Sequence, residues 1–165
     1  MKKITILLCG GCLLVLCACV YEVPLTEKAV VAVDPELTGT WLLITEEGTD
    51  SDPNEKMVIL PFSANEHVVV LSPGDKSLYF KAYPVEIDDL HLIQVEWLGI
   101  APDKKERYQV CRYALVDDIL TVDLLNDKVI GAGIKTSKAL RETVLSSRDN
   151  PYLFGESGRY RKLEN

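Results

Sequence analysis

The sequence predicts a mainly β protein, an antiparallel barrel or strongly curved sheet with one late helix, following a cleaved signal peptide. Three observations carry that expectation. A basic start and an uncharged apolar run open the chain. From Gly39 onward, short runs rich in Val, Ile, Leu, Tyr and Phe recur between turn-forming residues, and two of the separators are bare Asp-Asp pairs. Only Ser137–Ser147 shows firm helical spacing.

Met1-Lys2-Lys3 is a positive cap, and Ile4 to Ala18 contains no charged residue. That layout is how export signals are read. The run is short for a spanning helix, which needs roughly 20 apolar residues. Glu22 and Pro24 close it. The segment ends in Leu16-Cys17-Ala18-Cys19: an aliphatic residue, a tolerant position, a small residue and then cysteine. This resembles the lipobox of bacterial lipoproteins. The resemblance implies cleavage before Cys19, lipid on its thiol and a membrane as the partner it is fixed to. A lipoprotein N-terminus carries at least two acyl chains, which is the number needed for stable anchoring. Val20, rather than Asp, follows the cysteine. By the same resemblance the protein is expected in the cell envelope, at the outer membrane facing the periplasm if the organism is Gram-negative.

Removal of residues 1–18 from the 165 leaves 147, the size of one ordinary domain. Two of the 18 basic residues, Lys2 and Lys3, leave with the leader, so 16 basic and 25 acidic side chains remain, a net charge of −9. A surface of that sign repels nucleic acid and anionic lipid. Of the five cysteines only Cys19 and Cys111 outlast processing. With Cys19 consumed by lipid, Cys111 reads as a small buried apolar residue on a strand.

The mature chain divides into a lipidated N-terminus and tether over 19–36 and a β-rich domain over 37–165. Val20 to Asp34 mixes Pro, Glu and Lys with the apolar stretch Ala29–Val33, which has the composition to pair as an edge strand. Strands are expected at Gly39–Thr45, Lys56–Phe62, His67–Leu71, Ser77–Ile87, Leu90–Leu98, Arg107–Val116 and Ile119–Leu125. The separators Asp88-Asp89 and Asp117-Asp118 have the length of tight antiparallel hairpins. Evenly spaced short strands suggest a barrel or a sandwich. Alternation sorts the faces: Leu78, Phe80 and Ala82 oppose Tyr79, Lys81 and Tyr83, and His91, Ile93, Val95 and Trp97 oppose Leu90, Leu92, Gln94 and Glu96. Leu120, Val122 and Leu124 oppose Thr121, Asp123 and Leu125 in the same way. Lys56–Phe62 is apolar on both faces and reads as a central strand, in which Pro61 requires a bulge or a strand end. In Ser137–Ser147, Leu140, Val144 and Ser147 lie on one side, with Ala139 and Leu145 widening the stripe, Thr136 or Ser137 as cap and Asn150-Pro151 as terminator. After a turn around Tyr152–Gly158, Arg159–Leu163 alternates like a closing strand.

Gly39-Thr40-Trp41 opens the first strand. It resembles the Gly-x-Trp signature of lipocalins and related calycin barrels, and the order of strands, late helix and short closing strand is similar too. The resemblance implies a lipocalin-like barrel in which Gly39 frees the backbone and Trp41 plugs one end. It also implies that Arg159 or Arg161 stacks over Trp41.

No catalytic or metal constellation is expected, and no cofactor. His67 and His91 fall on different strands and read as strand-end surface residues. The serines form no Gly-x-Ser-x-Gly elbow, and Gly131-Ala132-Gly133 lacks the lysine of a phosphate loop. Gln94, Glu96 and Arg112 are the polar strand residues that would face a ligand if the barrel holds one. Their alternative reading is solvent exposure, with Glu96 and Arg112 paired across strands. The leading expectation is a non-catalytic binding or structural domain, for a small apolar ligand or an envelope protein. A protein–protein interaction module and an unrecognised hydrolase stand as alternatives.

Overall fold

The computed structural model describes residues 21–163, apart from 46, 47, 51, 53, 73, 75, 100–106 and 132; Cys19 and the leader lie outside that set. Eight antiparallel strands close into one up-and-down barrel, each paired with its sequence neighbours and β8 returning to β1. They are β1 (Gly39–Leu43), β2 (Lys56–Pro61), β3 (His67–Ser72), β4 (Leu78–Ile87), β5 (Leu90–Trp97), β6 (Tyr108–Val116), β7 (Ile119–Leu125) and β8 (Phe154–Lys162). Two short helices, α1 (Asp127–Ile130) and α2 (Ser137–Ser146), lie between β7 and β8.

The Asp-Asp pairs make the turns their spacing predicts. Ile87 pairs with Leu90 and Val116 with Ile119, so each loop is two residues long. Asp117 and Asp118 both take positive φ, 48° and 60°, as a hairpin turn matched to right-handed strand twist requires. Aspartate tolerates that region because its short side chain bonds locally. The closing strand starts at Phe154, five residues before the alternating run that announces it. Gly155, Ser157 and Gly158 have poor β-propensity and look like a turn in sequence, yet pairing with β7 carries them. At Gly158 a side chain would sit about 3.0 Å from the Tyr160 ring.

Alternation along the strands separates two apolar layers. Trp41, Met57, Ile59, Leu71, Phe80, Trp97 and Leu120 point into the barrel and pack together, with Ala82, Ile93, Cys111 and Leu124 alongside. A second core lies outside the barrel wall. There Tyr83, Val85, Leu92 and Val110 meet Leu140 and Val144 of α2, one turn apart and both fully buried. Thr136 caps α2 by accepting from the Ala139 N–H at 3.2 Å. Gly131, within the glycine-rich approach to α2, ends α1: its φ is 85° and its N–H donates to the Asp127 carbonyl at 2.6 Å.

The segment expected as a tether is folded onto this outer layer. Tyr21 bridges Tyr108 at the start of β6, and both Tyr21 and Leu25 are buried. Further on, the Val33 N–H donates to the Ala64 carbonyl at 3.0 Å, in the β2–β3 loop. Even strands start at the end of the barrel where odd strands finish. Residues 21–33 therefore strap the wall from one end to the other. A 3-10 turn at Pro35–Leu37 then crosses the far end, and the chain enters β1. Ala29–Val33 makes no strand pairing. The reading of β2 as central also changes: in a closed barrel its outward Leu60 and neighbouring Phe62 stay exposed.

Candidate functional site

A cavity of about 90 Å³ lies inside the barrel. Its wall is built by the inward alternation of the strands: Ile59, Val69, Leu71, Phe80, Ile93, Val122 and Leu124 supply apolar surface, and Leu37 closes the end crossed by the 3-10 turn. About one probe sphere, roughly 10–15 Å³, admits one water, so the space exceeds a single solvent molecule. Eight strands are the number at which a barrel interior is just wide enough for side chains or one small ligand.

Trp41 stands fully buried beside that end, and its indole N–H donates to the Leu37 carbonyl at 2.9 Å. The cation over its ring is Lys162, with Nζ 5.2 Å from the centroid and 2.7 Å from the Glu36 carbonyl. Neither arginine expected by resemblance takes this place. Register decides it: Trp41 pairs with Lys162 across β1 and β8, so Lys162 shares its face while Arg161 points the other way, to Asp50 at 2.8 Å. Arg159 is likewise on the outer, exposed face of β8. Gly39 permits the lysine's approach. Its φ is 148°, and a side chain there would come within 2.9 Å of Lys162 Cε.

The three polar residues nominated for the cavity face away from it. Glu96 lies on the outer face of β5, 3.2 Å from both Lys81 and Arg107. Burial works against charge on Lys81, but hydrogen bonds and attraction from Glu96 and Glu66 outweigh it and raise its pKa. Arg112 pairs with Asp123 at 2.8 Å across β6 and β7, and its guanidinium lies 4.4 Å from the Phe154 ring centroid. These outward ion pairs over an apolar lumen invert the apolar-out, polar-in pattern of lipid-facing barrels. Gln94 is also on the outer face but completely buried, beneath the strap. Its Oε1 accepts from the N–H groups of Leu25 at 2.5 Å and Thr26 at 3.0 Å. Its Nε2 donates to the Thr26 carbonyl at 3.2 Å and to the Tyr83 hydroxyl. It is a clasp for residues 25 and 26, made inaccessible to any lumenal ligand by the direction of its strand face.

The polar groups that do line the cavity are His67, Gln109, Cys111, Tyr113 and Tyr160. His67 is 3 % exposed, and its Nε2 has no hydrogen-bond partner among the described residues. Burial lowers its pKa, against a smaller opposing pull from Asp34, so the ring is neutral at pH 7. His91, by contrast, is exposed beside Glu86 at 3.5 Å. The Tyr113 hydroxyl donates to Asp34 Oδ2 at 3.2 Å, and burial together with that carboxylate raises its pKa. Cys111 donates to the Ile93 carbonyl at 3.7 Å, and burial pushes its thiol up to about 12. A thiol held protonated is a poor nucleophile. Among the described residues no three His, Cys, Asp or Glu side chains are grouped to hold a metal ion.

Comparison with protein-family models, curated proteins and solved structures finds no match for this chain.

The sequence suggests His67 as a strand-end surface residue, but the structure buries it in the cavity wall; Gln109 draws no reading from the sequence at all. Each is a lone polar residue on a strand of otherwise mixed character, and only parity tells which way it points. Counting back by two from Leu71 and Val69 reaches His67, and from Tyr113 and Cys111 reaches Gln109. That count was the available signal.

Proposed function

We propose that the chain is a lipid-anchored envelope protein whose barrel holds a small, largely apolar ligand and performs no covalent chemistry on it. The observation that carries this reading is the apolar cavity inside a closed eight-stranded barrel. Water needs two to four polar partners to be well held in such a space, and most of this wall offers none. An apolar guest therefore competes well for the space. The Gly39-Thr40-Trp41 opening and the plugged end agree with a lipocalin-like use of the fold.

Anchoring rests on Leu16-Cys17-Ala18-Cys19 and on the apolar run before it. The docked strap adds a geometric consequence. Tyr21 is held at the start of β6, and two residues of chain span at most about 7 Å. Lipid on Cys19 would therefore hold the barrel directly against the bilayer, with the β5–β6 end nearest to it. In a Gram-negative cell the expected place is the periplasmic face of the outer membrane.

Cell fractionation with labelled palmitate tests the anchor. Label should follow the wild-type protein into membranes, and Cys19→Ser should abolish both label and membrane retention. A Cys19→Ser protein that still fractionates with membranes would refute it.

A further inference from the structure

We infer that the cavity selects an uncharged alkyl compound with a hydroxyl head group, bound by a hydrogen bond to His67 Nε2. The inference rests on the ligand-binding reading above and names the chemistry of the guest.

His67 stands on β3 at the barrel end closed by Leu37, with its imidazole in the cavity wall. It is 97 % buried, and Nε2 has no hydrogen-bond partner among the described residues, whereas buried polar groups are as a rule paired. A lone unsatisfied nitrogen on an apolar wall is the place where a ligand's polar atom is missing.

Charge narrows the class. None of the described residues lining the cavity is Lys, Arg, Asp or Glu. Asp34 does not line the cavity but acts electrostatically on both His67 and Tyr113, and its oxygens accept from the Tyr113 hydroxyl and the Glu36 N–H. A carboxylate head would be desolvated opposite a neutral imidazole and repelled by Asp34. An ammonium head would be desolvated with no carboxylate in the described wall to pair with directly. Either ion is costly in such a site. A hydroxyl both donates and accepts, so it satisfies Nε2 whichever imidazole tautomer is present.

The test uses four probes of one chain length: 1-octanol, octanoate, octylamine and octane. Each is titrated into the full-length chain labelled with 15N-histidine at pH 7. Octanol should bind roughly ten-fold or more tighter than either ion and on the order of five-fold tighter than octane, the range of one net hydrogen bond. It alone should move the His67 Nε2 resonance, with exposed His91 as the internal control. His67→Phe should erase the preference of octanol over octane, and His67→Gln should keep part of it. The wild-type series decides the question even if the phenylalanine variant fails to fold. Octanoate or octylamine binding as tightly as octanol, or octanol binding without moving His67, overturns this inference and leaves ligand binding intact. Failure of all four to bind overturns both.

Discussion

Gln94→Leu should detach the strap from a barrel that otherwise stays closed. The side chain is fully buried and makes four hydrogen bonds: two from the Leu25 and Thr26 N–H groups, one to the Thr26 carbonyl and one to the Tyr83 hydroxyl. Leucine fills similar space but returns none of them. Thr26 is only partly buried, so water can reach its backbone, and Tyr83 keeps its own bond to the Thr26 carbonyl at 2.8 Å. The dominant loss is the Leu25 N–H, which is left desolvated beside a side chain that is itself completely buried. An orphaned buried group costs about 1–3 kcal/mol. The lost bonds at Thr26 bring the expected total to about 2–3 kcal/mol. For a domain of this size each kcal/mol moves Tm by roughly 2–8 °C, so a fall of about 5–15 °C is expected. Thermal unfolding by circular dichroism reads the loss. Hydrogen exchange locates it, because the Leu25 and Thr26 amides should lose protection while the β1–β2 and β2–β3 ladders keep theirs. An unchanged Tm with both amides still protected would refute the clasp.

Three further outcomes follow from the same structure. Asp118→Gly relieves a φ of 60° on a non-glycine residue and should raise stability by about 0.5 kcal/mol in chemical denaturation, the strain of a left-handed residue less the extra chain entropy of glycine. Because burial lowers the His67 pKa, the unfolded chain binds the proton more readily than the folded one. The stability linked to His67 is therefore complete above pH 6.5, its ordinary value, and is lost as pH falls through the folded-state pKa; His67→Phe should flatten that part of a stability–pH profile. Ala82→Phe projects a ring into the cavity from β4 and should abolish octanol uptake in a titration, with less than about 3 kcal/mol lost to overpacking.

Much of the barrel is legible because the hydrophobic period of its strands is clean. In β4, β5 and β7 alternation separates two faces, and the structure turns the one carrying Phe80 and Ala82, Ile93 and Trp97, and Leu120 and Leu124 into the lumen; the Asp-Asp pairs fix two of the turns. The strap is harder to read because neither period marks it: it is held by Gln94 and by isolated apolar side chains such as Tyr21 and Leu25. A trace of it does exist in the sequence. Near the Asp88-Asp89 turn the outward face of β4 and β5 carries Tyr83, Val85, Leu90 and Leu92, and an apolar outward face must be covered by a second layer. Gln94 sits at the edge of that covered zone, so its polarity suggested an open lumen when it marks a buried contact. The arginine expected over Trp41 failed for a simpler reason. Parity along β8 sends Arg159 and Arg161 outward and brings Lys162 to the plug.

The most direct test is the mass of the intact protein, extracted gently from membranes and weighed under conditions that preserve non-covalent complexes. The account predicts a chain beginning at Cys19 with acyl groups attached, plus a small neutral compound that leaves on mild activation. A chain that still carries residues 1–18, or a barrel that releases nothing, would contradict it.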